Sequence, residues 1–208
     1  MDNVSSKAAQ SSWFRAYEQE VNGLRKASND KKKILLIIPI LLIGGMIALM
    51  IKNGSPMGGI YFLGGIGAFI VIIMLVSFSK SKGIDAAAVT RKDLDVLLNT
   101  PEDAEEFDRQ MKEKPSFQVM NQKNNYVFAT KDYLGIEFPN LGDKTYRFIK
   151  LQDVGYLHSY KNPSGNFDVE FCDSYRKVLM RWTASSKKKI EELKDNLTKV
   201  KTDVDSFE

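Results

Sequence analysis

The apolar residues of this chain are concentrated in one block, and elsewhere they recur with the periods of helices and strands. Residues 34–51 and 60–78 form two uncharged apolar runs, and Lys52 is the only charged residue between them. A helix of either length crosses roughly 27–30 Å of hydrocarbon. The connection KNGSPMGG is so short that the two helices must be antiparallel neighbours. The pattern predicts a transmembrane hairpin over residues 34–78.

The flanking cations predict the orientation of this hairpin. Three lysines at 31–33 precede the first run, and Lys80 and Lys82 follow the second, whereas the connecting loop carries Lys52 alone. Because positively charged flanks stay in the cytoplasm, both termini are expected to be cytoplasmic. The long polar lead, residues 1–33, and the lack of a small-x-small site disfavour a cleaved signal peptide. The predicted location is therefore the cell membrane, crossed twice.

Small residues are spaced for close packing inside the hairpin. Gly44 and Ala48 lie four residues apart in the first run, and Gly64 and Ala68 lie four apart in the second, at a matched depth. Small residues allow the backbones of membrane helices to approach each other, so these four are predicted to form the contact. Neither run contains an acid, an arginine or a histidine, the usual signs of an ion path. The hairpin is expected to be an anchor.

Residues 1–33 are predicted to contain a cytoplasmic amphipathic helix. Its apolar residues recur at intervals of three and four across residues 11–26: Trp13, Phe14, Tyr17, Val21 and Leu24. This face can lie in the lipid headgroup region, or it can pack on another cytoplasmic element of this protein or of a partner subunit. Trp13 and Phe14 are thus candidates for contact with lipid or a partner, and the pattern does not distinguish between these neighbours.

Residues 83–115 are predicted to form an acidic helical connector of two helices. Asp85 can cap the first helix, and Thr100 followed by Pro101 begins the second. The predicted buried residues are Val89, Leu94, Leu97 and Leu98 in the first helix and Ala104, Phe107 and Met111 in the second. The acidic face is expected to be solvated, and docking of a basic partner is the alternative.

From Phe117 the apolar period changes from 3.6 to 2, which predicts strands. The seven candidates are residues 117–121, 126–130, 133–139, 145–150, 154–161, 167–172 and 177–183. Turn sequences between them indicate antiparallel neighbours. One helix follows, opened by Ser185 or Ser186, with a stripe made of Ile190, Leu193, Leu197, Val200 and Val204. The predicted fold class is an α+β membrane protein, in which residues 116–208 form a cytoplasmic β-barrel or sandwich closed by a C-terminal helix.

This meander with a closing helix resembles the pleckstrin-homology-like (PH-like) fold over residues 117 to about 200. YVFATKDYLGIEF resembles the paired strands that open bacterial PH-like domains. FIKLQDVGYLHSYKN resembles their entry into the next hairpin, which implies that Asp153 lies in a turn and Val154 faces the core. A two-span hairpin before such a domain is similar to the YcxB-like arrangement of bacterial membrane proteins. The resemblance implies no ligand residues, because that family has no shared catalytic or binding motif.

The C-terminal helix offers two further candidate contacts. In a PH-like domain its stripe covers the open end of the barrel, but here the stripe is longer than a lid needs. Leu197, Val200 and Val204 are therefore candidates for pairing with a partner helix or a second copy. Three lysines begin this helix: Lys187, Lys188 and Lys189. The helix dipole disfavours cations there, so lipid headgroups or an acidic partner can compensate them, and hydration is the alternative.

No set of residues fits a catalytic site. His158 is the only histidine and lies in an aromatic strand, and Cys172 is the only cysteine, which permits no intramolecular disulfide. A Cys/His zinc site of the usual kind is excluded, and the basic residues of the predicted sheet outnumber its acidic residues by only two, which is too small an excess to favour nucleic acid. The chain is expected to be non-enzymatic and to need no cofactor, and a hydrolase or transferase is disfavoured.

The expected function is binding at the inner face of a bacterial membrane. The chain would act as a scaffold that presents its PH-like domain to membrane lipid and to a protein partner, which the sequence does not identify. The alternative is an accessory subunit of a larger membrane transport or secretion complex, in which the hairpin contacts other spans. A homo-oligomer is compatible with either function.

Overall fold

The computed structural model describes residues 6–80, 85–122, 125–140 and 143–201. Within them the fold is α+β. The α-helices are α1 (Ser12–Lys52), α2 (Met57–Lys80), α3 (Ala86–Leu97), α4 (Pro101–Lys112) and α5 (Lys187–Val200). The strands are β1 (Phe117–Gln122), β2 (Asn125–Ala129), β3 (Tyr133–Asn140), β4 (Asp143–Lys150), β5 (Tyr156–Lys161), β6 (Phe167–Cys172) and β7 (Val178–Ala184).

The chain divides into two compact units. Unit 1 consists of Met1–Val21 and Ile84–Glu208, and unit 2 consists of Asn22–Gly83. The boundary between them falls inside α1, so the first turns of this helix belong to unit 1. The start of α1 and the predicted acidic connector are thus parts of one unit with the strands, although the sequence divided them into separate segments.

In unit 2, α1 and α2 lie side by side and antiparallel. A Cβ added to Gly59 would lie 3.2 Å from Met50 Cε, and one added to Gly67 would lie 2.8 Å from Ile43 Cγ2. The later glycine of α2, Gly67, contacts the earlier residue of α1, Ile43, so the two helices run antiparallel. The apolar side chains that point away from this contact are exposed, such as Leu41 on α1.

One helix of the described residues is long and apolar enough to cross a membrane. It is the Met57–Met74 stretch of α2, with a mean hydropathy of 2.1 over 18 residues. The apolar stretch of α1, Ile37–Lys52, is shorter. Length and composition therefore mark one candidate span, which is weaker support than the two predicted spans would need.

The seven strands form two antiparallel sheets with the orders β1-β2-β3-β4 and β5-β6-β7. The fifth strand starts at Tyr156, later than predicted, because Leu151–Asp153 forms a turn of 3-10 helix. Asp153 lies in that turn and Val154 is fully buried. A closed barrel, one of the two predicted architectures, is wrong: over the residues that the structure describes, no ladder joins the two sheets, and β4 and β7 are edge strands.

The main core lies between the two sheets and under α5. The helix contributes Ile190, Leu193 and Leu197, and the sheets contribute side chains such as Phe171 and Trp182. Ser186 is the residue before the helix, as one of the two predicted openings required. The α5 stripe therefore faces the core of this unit, as in the lid arrangement expected from the sequence.

A second core covers the other face of the first sheet. Its buried aromatic residues come from α1, α4 and the strands β2, β3 and β4: Phe14, Tyr17, Phe107, Phe128, Tyr133 and Phe148. Trp13 packs against this core, with its ring centroid 5.6 Å from that of Phe107 and 5.4 Å from that of Phe148. α3 adds Leu94, Leu97 and Leu98. Of the two neighbours considered for the first helix, the structure thus has protein, supplied by this chain's own sheet and helices.

A buried carboxylate on α4 caps the start of α1. Asp108 Oδ1 accepts hydrogen bonds from the Ser11 hydroxyl (2.5 Å) and the Trp13 N–H (3.1 Å), and Oδ2 accepts one from the Ser12 N–H (2.6 Å). These are N–H groups that the helix itself leaves without partners. Burial alone would raise the pKa of Asp108, but the hydrogen bonds outweigh it and hold the pKa below its ordinary value.

Side chains from α1 and α3 occupy the free edge of β4. The Tyr17 hydroxyl donates to Lys144 O (2.7 Å), and the Thr90 hydroxyl donates to Tyr146 O (2.7 Å). Asp93 Oδ2 accepts from the Phe148 N–H (3.1 Å). Because main-chain groups at three successive outward positions of β4 are bonded, no further strand can add to this edge.

We expect Asp108→Asn to lower the free energy of unfolding by about 1–3 kcal/mol at pH 7, because an amide NH₂ then faces a backbone N–H donor. The native cap stabilises the fold above pH of about 4, and this stabilisation is lost as the pH falls through the lowered pKa of Asp108. The difference in free energy of unfolding between wild type and Asp108→Asn should therefore become smaller at acidic pH. Urea unfolding of unit 1 in the detergent-solubilised chain, followed at several pH values, measures it; a difference independent of pH would contradict the cap.

Candidate functional site

Three open clefts lie in unit 1, and the first is ionic. It has a volume of about 440 Å³ and contains both signs of charge, with Asp103, Glu106 and Asp132 against Lys131, Lys150 and Lys201. The acids already have partners: Asp103 accepts from two backbone N–H groups, and Gln110 Nε2 donates to Glu106 and Asp132. Because the charges on its walls balance, this cleft favours neither cationic nor anionic ligands.

The second cleft is aromatic and has a volume of about 260 Å³. Trp13, Tyr126 and Tyr146 line it, and the hydroxyls of both tyrosines donate to Glu137 Oε2. Burial, followed by the hydrogen bond to Glu137, raises the pKa of Tyr126 to about 12. Glu137 is only 2% exposed, so its carboxylate is used inside the fold. This network ties β2, β3 and β4 together, and the cleft walls mix these aromatic rings with polar side chains such as Gln118 and Glu113.

The third cleft, here called the β7 groove, runs between the free side of β7 and the first sheet and has a volume of about 370 Å³. Six consecutive residues of β7, 178–183, line one wall. Asn125, Ile136, Phe138 and Arg147 line the other. Consecutive residues of a strand point to alternate faces, so a groove lined by all six follows the main-chain edge of the strand. Six strand residues span about 20 Å.

The main-chain groups of one β7 residue, Arg181, face this groove without a partner among the described residues. The Gly155 N–H donates to Cys172 O (2.8 Å), so Cys172 and its alternate residue Glu170 direct their main-chain groups toward β5. Arg181 lies opposite Glu170 and therefore points away from β6. Thr183, two residues on, confirms this direction because its carbonyl accepts from the Asn121 amide (3.0 Å). Within the described residues, no main-chain hydrogen bond is found for Arg181 on this side.

The charged side chains that line the β7 groove are both arginines. Arg147 Nε donates to Asp93 (2.5 Å), and Arg181 Nε pairs with Glu170 (2.8 Å). Each guanidinium has five N–H donors, so the Nη donors of both remain for an incoming acceptor. A hydrogen bond joins the two walls of the groove: Trp182 Nε1 donates to Asn125 Oδ1 (2.8 Å).

A buried hydroxyl without a partner lies beside this groove. Thr145 is 0% exposed, and its Oγ1 makes no hydrogen bond. It pairs directly across the ladder with Phe138, a groove residue, so both side chains are on the face toward the second sheet. An unpaired buried hydroxyl costs free energy and is uncommon in native folds.

The structure places the predicted hairpin residues away from the closest helix contact. Gly44 has no atom within 4 Å of an added Cβ, and Ala48 and Ala68 are exposed. Gly64 is near the contact, with Ile47 Cδ1 3.9 Å from an added Cβ, whereas Gly67 makes the tight approach. Gly64 is thus the predicted residue that lies beside the contact of α1 and α2, and Gly67 is a small residue that the spacing did not select.

The other predicted contact residues are mostly occupied within unit 1. Phe14 is fully buried and offers no free surface to lipid, whereas Trp13 is half-buried and lines the second cleft. Leu197 is in the main core and Val200 packs against it, while Val204 lies outside the described residues. Lys187 and Lys188 are exposed, and Lys189 pairs with Glu192 (2.7 Å).

The remaining candidates for chemistry are dispersed. His158 Nδ1 lies 3.4 Å from Glu170, on the outer face of the second sheet. Burial raises the pKa of the Cys172 thiol, which makes it less reactive. Among the described residues no group of three His, Cys, Asp or Glu side chains could hold a metal ion. Among the described residues, these candidate side chains therefore lie apart from one another.

Sequence reasoning missed the β7 groove. Its walls come from strands that are distant in the chain, and periodicity reports which face of a strand is apolar but not which edge stays open. The one available signal was Arg181, the single charged residue of the strand VLMRWTA. Comparison with protein families, curated proteins and solved structures found no match for this chain. Its function is therefore inferred from geometry.

We expect Thr145→Val to raise the free energy of unfolding by about 1 kcal/mol, because valine has the same shape and removes the unpaired hydroxyl. Thr90→Val, on helix α3 beside the free edge of β4, is the matched control. It removes a hydroxyl that bonds Tyr146 O, so it should cost about 1–3 kcal/mol. Urea unfolding of both variants measures the two signs, and a loss of stability in Thr145→Val would show that this hydroxyl has a partner.

Proposed function

We propose that this chain is a non-enzymatic, membrane-anchored binding protein whose unit 1 is a PH-like domain at the inner face of a bacterial membrane. The observation that carries the proposal is the pairing of two features in one chain. Unit 2 exposes long apolar helices, and unit 1 has a groove with an unpaired strand edge. The exposed apolar helices are suited to a lipid environment. The free strand edge offers main-chain N–H and C=O groups that a bound partner can pair with.

The anchor is proposed to be a two-span hairpin with both ends in the cytoplasm. Support comes from the antiparallel contact of α1 and α2 and from the exposure of their apolar side chains. The uncharged run of α1, residues 34–51, is about 27 Å long as a helix, so it matches a thin hydrocarbon core. Pro39 lies inside α1, where membrane helices tolerate it. The lysines at 31–33 favour the cytoplasmic side.

The PH-like assignment of unit 1 is supported by its order of elements. Four antiparallel strands, three antiparallel strands and one C-terminal helix follow each other, and that helix covers the core between the sheets. Binding is favoured over catalysis because the β7 groove offers apolar surface, main-chain groups and guanidinium donors. These groups hold a ligand but do not activate a nucleophile.

Cysteine labelling in intact cells tests the anchor. In a Cys172→Ala background, Asn53→Cys in the connection should react with a membrane-impermeant maleimide from outside. Tyr175→Cys, at a position that is 90% exposed in unit 1, should react only after the cells are opened. Release of the chain by alkaline carbonate, or labelling of residue 175 from outside, would overturn the proposed anchor and its orientation.

A second candidate function, an accessory subunit of a membrane transport or secretion complex, is favoured by one observation. Gly44 and Ala48 are exposed on α1, so their small-residue face has no neighbour in unit 2. Such faces pack against other membrane helices. Purification in a gentle detergent distinguishes the functions: integral subunits that co-purify in fixed ratio favour the complex, whereas a monomer or homodimer favours the anchored binding protein.

A further inference from the structure

We propose that the free edge of β7 binds an extended segment of a partner protein as an added strand, and that acidic side chains of this segment pair with Arg147 and Arg181. The inference rests on the proposed binding function and specifies its partner. It combines three observations on the β7 groove: an unpaired main chain, an apolar wall, and rim charges of one sign.

The unpaired main chain selects a peptide over a lipid. The N–H and C=O of Arg181 point into the groove, and a passing backbone satisfies both. An acyl chain has no donor or acceptor, so it would bury these groups without partners, which is unfavourable. A groove that follows a strand edge for six residues therefore fits an extended peptide.

The walls specify the side chains of this segment. Phe138, Val178 and Leu179 present apolar surface, which suits aliphatic residues at alternate positions. Arg147 and Arg181 keep free Nη donors, and no acid lines the groove. Their own partners, Asp93 and Glu170, reduce the net charge, but a carboxylate of the segment can still accept two bonds from one guanidinium. The fitting segment alternates aliphatic and acidic residues.

The edges of β4 and β5 do not offer the same site. Tyr17, Thr90 and Asp93 occupy the edge of β4. Among the described residues, none of β5 lines any of the three clefts described above. β7 alone among these three edges combines a free main chain with a groove.

The test uses the full chain in nanodiscs and defined peptide pools. The first pool consists of capped octapeptides with Glu at positions 3 and 5 and mixed Val, Ile, Leu and Thr elsewhere. A second pool has Lys in place of Glu, and a third has the Glu sequence with N-methyl groups on alternate residues. Hydrogen exchange followed by mass spectrometry reports protection at residues 178–183, and calorimetry reports affinity.

The Glu pool should protect the β7 amides and bind at least about tenfold more tightly than the Lys pool. N-methylation should abolish binding, because it removes the donors that form the ladder. Arg181→Glu should reverse the preference between the pools, and Arg181→Lys should keep it. Arg181→Pro should weaken binding more than Arg181→Ala, since both lose the guanidinium but only proline loses the outward N–H. A thermal melt of each variant checks folding.

Three results would overturn the proposal: equal binding of the N-methylated pool, protection at β5 in place of β7, or displacement of the peptide by oleate or phosphatidylglycerol vesicles. The last result would assign the groove to lipid. Failure of the anchor is a separate outcome, because carbonate extraction and cysteine labelling do not depend on the peptides.

Discussion

Unit 1 depends on the docking of the first helical turns of α1 onto the first sheet. One buried carboxylate, Asp108, accepts three hydrogen bonds at the start of the helix, and Trp13, Phe14 and Tyr17 then enter the aromatic core. Burial of the charged Asp108 carboxylate is tolerated because these donors compensate for its lost hydration. The donors at the start of α1 depend in turn on the carboxylate for a hydrogen-bond partner. Residues that precede the apolar block in sequence thus complete a fold built mostly from residues that follow it.

This docking also determines which surfaces are left for partners. Tyr17 on α1 and Thr90 on α3 bond the main chain of β4, so the first sheet is closed at that edge. At the β7 edge of the second sheet Asn121 bonds Thr183 O, but within the described residues the main chain of Arg181 has no such cover, and this edge borders the β7 groove. The same helices therefore protect one edge from unwanted pairing and leave the opposite edge available.

Local sequence patterns predicted the elements well, because capping and periodicity act over a few residues. Asp85 accepts from the Ala88 N–H, and Thr100 and Asp103 form a reciprocal cap, as their spacing indicated. Tertiary choices were less accessible. The stripe of Trp13 and Phe14 is equally suited to lipid and to protein, and only the contact with Asp108, which is distant in the chain, decides between them. The open edge of β7 is likewise set by how two sheets meet, which no local pattern reports.

Native-state hydrogen exchange of the full chain in detergent measures directly whether the first turns of α1 and the first sheet unfold together. If docking of α1 completes unit 1, the amides of residues 14–21 should exchange only through global unfolding, with the same free energy as those of β3. If the amides of the first turns of α1 instead exchange orders of magnitude faster than those of β3, while β3 keeps its protection, the helix is an independent segment. Docking of α1 would then not be required for the fold of unit 1.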